Sequence, residues 1–372
     1  MAGIARGTQG YYPPPESKGG WRSVDETGQA QGVRADAQQL AVARAWNAEY
    51  PVASAVAIIH RGYLIAEWYE NGASPDTTFN IHSCSKSFTG TAYGILFGDG
   101  RRCLLGPGHA DLDSPAYHYI PAGYPLTDPS KERITLRHFL SMSSGIAGES
   151  IGVYGVRTEA HINPFAAALG RFPVKARDTG EDVWVSQLAA EPGSRWDYSD
   201  PAFGHLSLAF NGITGQELGS FMKVRVFDPI GIESLMWDMM GLDDGAVGRH
   251  TCPFSGVHVT AREFARFGYL MLRGGVWEGQ EIVPAWWNKL AAQSSQASNP
   301  EYGLTWWVNP RQAFWSGVPR DAYAAMGFNC NLCCIIPSLD LVIVRIGAGP
   351  TESTEVIAAP FLASVVQSVT SA

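Results

Sequence analysis

A chain of 372 residues, 45% hydrophobic and 17% charged, is long enough to bury a sizeable core as one large domain or two, and too apolar to be disordered. Its net charge of −8 offers no basic face to nucleic acid or to an anionic membrane, and no apolar run approaches the roughly 18 residues of a spanning helix. Neither nucleic acid nor a membrane span is therefore expected.

The N-terminus, MAGIARGTQGYYPPPE, has one arginine and no apolar centre, so it does not read as a signal peptide. A cytoplasmic location is expected, or a secreted or periplasmic one if a leader has been removed. Residues 1–34, rich in Gly, Pro and polar side chains, read as an extended arm. Residues 35–49 repeat apolar positions at helical spacing. A hairpin follows: Ala55 to Ile59 is apolar and β-branched, Arg61-Gly62 turns, and Tyr63 to Tyr69 returns. Helical patterns dominate residues 84–295, among them Lys86 to Phe97, Thr260 to Leu272 and Pro284 to Ala292. Strand patterns return at Gly303 to Val308, Asn331 to Ile336 and Leu341 to Ile346, the last two joined by the turn sequence Pro337 to Asp340. An amphipathic helix from about Glu355 to Val369 closes the chain. Strands near both ends with helices between them predict an α/β (α+β) fold. Its antiparallel sheet is built by 35–83 and 296–372 and flanked by helices, a large mainly helical domain (84–295) is inserted, and the active site lies at the interface.

Three stretches carry nucleophile patterns. Gly148-Glu149-Ser150-Ile151-Gly152 matches G-x-S-x-G, which needs a buried strand directly before it. The residues before it, Leu136 to Ser144, read as a helix end and a polar loop, so the elbow fails on context. S-x-x-K occurs twice, at Ser83-Cys84-Ser85-Lys86 and Ser220-Phe221-Met222-Lys223, in a chain with six lysines. Ser220 lies within an amphipathic stretch where a solvated helix face is explanation enough. Ser83 follows the hairpin and opens an apolar helix containing the small residues Gly90, Ala92 and Gly94. Residues three apart share a helix face, so the Lys86 amine can reach the Ser83 oxygen, and the positive helix N-terminus favours a developing oxyanion.

Cys330, Cys333 and Cys334 form a C-x-x-C-C cluster, but it sits in an apolar strand-like run with no second pair of ligands nearby, and no metal is expected. Without G-x-G-x-x-G or G-x-x-x-x-G-K, no nucleotide cofactor is expected either. His82 adjoins Ser83, yet neighbouring residues point apart, and His138 reads as structural. Trp306-Trp307 reads as core and pocket wall.

The motif at Ser83 to Ser87, taken with three further stretches, resembles the serine β-lactamases and penicillin-binding proteins in their class C branch. That branch also holds esterases, D-aminopeptidases and 6-aminohexanoate-dimer hydrolases. Ile134 to Gly145 (ITLRHFLSMSSG) is similar to the branch's helix-and-loop signature, Glu191 to Asp200 (EPGSRWDYSD) to the approach to its Tyr-x-Asn motif, and Thr260 to Gly268 to a further structural signature. The resemblance implies a serine hydrolase that cleaves an ester, amide or lactam. Ser83 would be its nucleophile, Lys86 the group easing proton removal, and Tyr198 the acid/base at the leaving group. Counting back from Pro337, the third motif (Lys-Thr-Gly or His-x-Gly in the family) falls on Ala325-Met326-Gly327. The implied oxyanion hole is the backbone N–H pair of Ser83 and Phe328, each donor worth about 3–4 kcal/mol at a preorganised site. Two departures stand out. Ala325 lacks the cation that β-lactam-specialised enzymes offer to a substrate carboxylate. Asp200 replaces Asn and places a carboxyl beside Lys86, as an ion-pair partner or as a neutral hydrogen-bond donor.

Overall fold

The computed structural model describes residues 10–25, 28–29, 31–350 and 357–371. Strand β1 (Ser54–His60) turns through Arg61 and Gly62 into β2 (Tyr63–Glu70). Both turn residues have positive φ (51° and 77°), the twist a two-residue hairpin needs. Four later strands join them: β3 (Trp307–Val308), β4 (Tyr323–Gly327), β5 (Asn331–Ile336) and β6 (Leu341–Gly347). The order across this six-stranded sheet is β3-β4-β5-β6-β1-β2, antiparallel throughout. The two ends of the chain meet where β1 pairs with β6, Ser54 opposite Gly347 and His60 opposite Leu341. β1 has a neighbour on each side and is buried at all seven positions, which is why its sequence is an unbroken apolar run rather than an alternation.

Among the described residues, five helices have twelve or more residues. α1 (Ala37–Ala48) starts where Asp36 caps the Gln38 and Gln39 N–H groups, at 2.7 and 3.1 Å. α2 (Ser85–Asp99) is buried from Ser85 to Leu96; a Cβ on its Gly94 would lie 2.2 Å from the Trp287 ring, so glycine there admits the indole. α3 (Asp200–Thr214) is capped by Ser199, and α4 (Ala261–Leu272) by Thr260. α5 (Ala359–Thr370) packs on α1. α4, although it comes from the 84–295 segment, lies against β1, β5 and β6. Arg345 of β6 donates to Asn47 of α1, at 3.0 Å, while Cys333 of β5 approaches α4 at Phe264. Since Arg345 pairs with Leu332, one residue from Cys333, the pleat puts α1 and α4 on opposite faces.

Two expectations change, and the arm expected over 1–34 is described only in part. Of the strand expected over Gly303 to Val308, only Trp307–Val308 forms: the Gly303 N–H bonds Trp306 O (2.8 Å) and the Thr305 N–H bonds Leu140 O (3.0 Å), so tertiary partners take the ladder's donors. The last helix begins at Ala359; residues 351–356 lie outside the described residues, as do 1–9 of the arm. The described arm clasps α4, with Arg266 donating to Pro13 O (2.9 Å) and pairing with Glu16 (2.7 Å).

One buried group makes the fold sensitive to acid. His205 of α3 is fully buried, 2.9 Å from both the Tyr117 hydroxyl and Pro201 O, and burial, helped by the Lys131 ammonium, holds it down to about 3. An unfolded histidine takes its proton near 6.5, so through that window the unfolded chain binds more protons and stability falls as pH drops. The slope is about 1.4 kcal/mol per pH unit from this residue. His60, held down to about 4 by burial, adds to it. His205→Gln should lose less melting temperature than the parent between neutral pH and the mid-fours; equal losses in scanning calorimetry would contradict the assignment.

Candidate active site

Ser83 sits in a single 3-10 turn, His82–Cys84, directly ahead of α2. His82 enters it at φ 48°, with its N–H bonded to Asn80 Oδ1 at 2.8 Å, so the chain bends sharply just before the serine. Lys86 is in the first turn of α2, with its side chain 2% exposed, and its Nζ donates to Ser83 Oγ at 2.8 Å. The same nitrogen forms an ion pair with Asp200 Oδ1 at 2.7 Å and donates to Phe254 O at 3.2 Å. It also stands 4.7 Å from the centre of the Tyr198 ring.

Asp200 is the first residue of α3, and its second oxygen accepts the Gly155 N–H at 2.8 Å. One oxygen facing an ammonium and the other facing an amide, at a positive helix end, is the arrangement of a carboxylate anion. Of the two readings of the Asn-to-Asp departure, the geometry favours the ion pair.

The third-motif stretch lies on β4, which ends against the serine turn. A Cβ on Gly327 would come within 2.3 Å of Ile81 O and 2.9 Å of Ser83 N, so only glycine permits this approach. Phe328 follows, its ring edge-on to His82 at 5.7 Å. Its carbonyl accepts from Asn331 Nδ2 at 2.6 Å, and Arg345 holds the next carbonyl, that of Asn329, at 2.5 Å. Two buried side chains thus brace the turn that carries the Phe328 N–H.

These residues converge on one cleft of about 740 Å³, lined by Ser83, Tyr198, Asp200, Met326, Gly327 and Phe328, with Lys86 beneath it. Ala325 is buried and does not face the cleft. Trp307 stacks on Tyr198 (6.3 Å, 17°) as pocket wall while Trp306 is core. His82 reaches the cleft, where burial pushes its imidazole below the ordinary range, but its ring packs on Phe328. His138 closes a capping box with Thr135.

The competing serines lie elsewhere. Ser150 is on a 3-10 turn with no strand before it, and its hydroxyl donates to Asp197. Ser220 is exposed, and Lys223 pairs with Asp228 on the surface. All six cysteines are buried thiols, and consecutive Cys333 and Cys334 point to opposite faces of β5. Among the described residues no three His, Cys, Asp or Glu side chains group as metal ligands, and no helix is long and apolar enough to cross a membrane.

Sequence reasoning missed the cleft wall contributed by residues 149–177, including Glu149, Tyr154, Gly155, Arg157 and Arg177. This wall is mostly turns and loops, where no periodicity marks a residue as facing a cavity. It also missed Phe254, whose contribution to Lys86 is a backbone carbonyl that any residue type could supply.

An antiparallel sheet with helices on both faces, and a cleft where a serine hydroxyl meets a buried lysine, define a hydrolase of the serine type. The Beta-lactamase family model matches residues 38–366, and the chain belongs to that family. It is 24% identical over 327 residues to the 6-aminohexanoate-dimer hydrolase of Paenarthrobacter ureafaciens, covering 80% of this chain and 73% of the relative. In structure it is similar to EstCE1, described as a hydrolase with promiscuous acyltransferase activity (TM-score 0.66, 16% identity, 89% of this chain and 97% of that one). A penicillin-binding protein homologue from Caulobacter crescentus matches comparably, with TM-score 0.65, 12% identity and coverage of 90% and 98%.

Proposed function

We propose that the chain hydrolyses small carboxylic esters or amides through an acyl-enzyme on Ser83. The observation that carries this is the line of contacts from Ser83 Oγ through Lys86 Nζ to Asp200, a hydrogen bond followed by an ion pair, opening onto the cleft. In this reading Ser83 Oγ attacks the substrate carbonyl carbon and its proton passes to the Lys86–Tyr198 pair. With Lys86 held charged by Asp200, Tyr198 is the group that cycles its proton: as the phenolate it takes the Ser83 proton during attack and gives it to the departing alkoxide or amine, then takes a proton from the water that attacks the acyl carbonyl and returns it to Ser83 Oγ as the acid leaves. The carbonyl oxygen, as it becomes an oxyanion, is received by the N–H groups of Ser83 and Phe328. The site lies where the start of α2 and the start of α3 meet the end of β4, and such a cleft suits a small substrate. The relative named 6-aminohexanoate-dimer hydrolase agrees with a hydrolytic activity.

A β-lactamase or D-Ala-D-Ala-type peptidase is the second reading within the family. Ala325 speaks against it, since a buried methyl stands where the specialised enzymes place a cation. A lost charge-assisted hydrogen bond costs about 1.5–3 kcal/mol, or about ten- to a hundredfold in kcat/KM. We expect p-nitrophenyl butyrate to exceed nitrocefin by at least about tenfold in kcat/KM. Nitrocefin equal or better would favour the lactam reading. Stoichiometric acylation without turnover of any ester would make the chain an acyl-binding protein instead.

A further inference from the structure

The outer wall of the cleft carries a charge that the hydrolytic scheme does not use. Arg157 and Arg177 both line it, and among the described residues neither guanidinium pairs with a carboxylate. Arg177 is held in place by aromatic rings: its guanidinium carbon lies 4.9 Å from the centre of the Phe328 ring and 5.1 Å from that of Tyr154. Phe328 in turn packs on His82, the residue before Ser83, so a single aromatic ring separates the cation from the serine turn. The one carboxylate on the same wall is Glu149, while Asp200 and Lys86 neutralise each other deeper in the cleft. Two guanidiniums with no carboxylate partner thus stand at this mouth, with Asp178 beside Arg177 and, like Glu149, acting on the Tyr154 hydroxyl, in a chain whose net charge is −8. The same cleft is lined by the apolar side chains of Trp307, Phe314, Met326 and Phe328.

We propose that the cleft selects substrates bearing an anionic group, a carboxylate, at the far end of an apolar spacer from the scissile ester or amide. This rests on the hydrolase reading above and names its substrate class. The acyl spacer lies along the aromatic walls, and the terminal carboxylate meets Arg177, with Arg157 as the second cation. A guanidinium stacked on rings keeps its N–H edge for a planar two-oxygen partner, which a carboxylate supplies. The cation missing at Ala325 is thus replaced from another segment and placed beyond Phe328, where it reads the end of a longer chain rather than a group beside the reacting carbonyl.

The test compares p-nitrophenyl monoesters of adipic, suberic and sebacic acids with the same esters methyl-capped at the free acid. For the spacer that fits, the charged ester should exceed the capped one in kcat/KM by about tenfold, chiefly through KM, and added salt should shrink the ratio. Arg177→Gln should collapse that ratio, Arg177→Lys should keep part of it, and Arg157→Gln should lower it to a lesser degree. A parent enzyme that turns over capped esters by Ser83 yet shows no preference for the charged ones overturns the proposal and leaves the hydrolase reading standing. So does a preference that survives the Arg157→Gln, Arg177→Gln double variant. A parent that turns over none of these esters overturns both.

Discussion

Ser83→Ala should lower kcat/KM toward p-nitrophenyl esters by about 10⁴-fold or more, while Ser150→Ala and Ser220→Ala leave it within about twofold. The size follows from removing the atom that carries the acyl group: no neighbouring oxygen can take its place at the Lys86 amine, whose other two contacts are a carboxylate and a carbonyl. The Ser150 hydroxyl is tied to Asp197, and Ser220 faces solvent. Ser83 is only half-buried and its hydroxyl supports no backbone cap, so the variant should keep its fold. Intact-mass measurement after treatment with a fluorophosphonate should show one adduct, and digestion should place it on the peptide containing Ser83. An adduct on Ser150, or an active Ser83→Ala protein, would mean that the nucleophile has been misassigned.

Gly327→Ala should lower kcat by about 10²- to 10³-fold, the range expected when one oxyanion donor is lost. Its Cβ would press on Ile81 O at 2.3 Å, Ser83 N at 2.9 Å and Cys84 N at 3.0 Å. All three are backbone atoms that cannot rotate away, so the end of β4 or the serine turn must withdraw. Either movement separates the two N–H groups proposed to receive the oxyanion. Ala325→Gly, two residues back on the same strand and outside the cleft wall, controls for damage to the strand and should keep kcat within about threefold. Both variants should be compared by melting temperature and by the rate of fluorophosphonate labelling. A folded Gly327→Ala with parental kcat would place the oxyanion hole elsewhere.

The residues show why some of this was legible in advance and some was not. The β1–β2 hairpin was readable because a turn dipeptide and its flanking apolar runs are all local. The same locality made α1 and α4 readable to within two residues, since Asp36 and Thr260 are side-chain caps adjacent to the helices they start. The stretch Gly303 to Thr305 reads as strand by composition but is pulled into a turn by bonds to Trp306 and Leu140, the second partner 165 positions earlier in a different element. Asp200 could be seen as a departure from the Asn of its relatives, but its charge state could not. That depends on the Gly155 amide and on standing first in α3, while the lysine it faces is on α2.

By itself the sequence determined the apposition of Ser83 and Lys86, because residues three apart at a helix start meet whatever the rest of the chain does. It also determined the pairing of a hairpin near one end with strands near the other, since uninterrupted apolar strands must be covered on both faces and flanked on both edges. Only the tertiary structure decided what surrounds that pair. Asp200, Gly155, the Phe254 carbonyl, the two arginines and the flush contact of Gly327 with the serine turn come from segments far apart in the chain. They are brought together by how the middle segment closes over the sheet, and no local period or spacing records that closure, because burying the core constrains which faces meet and leaves the loops at the rim free to differ.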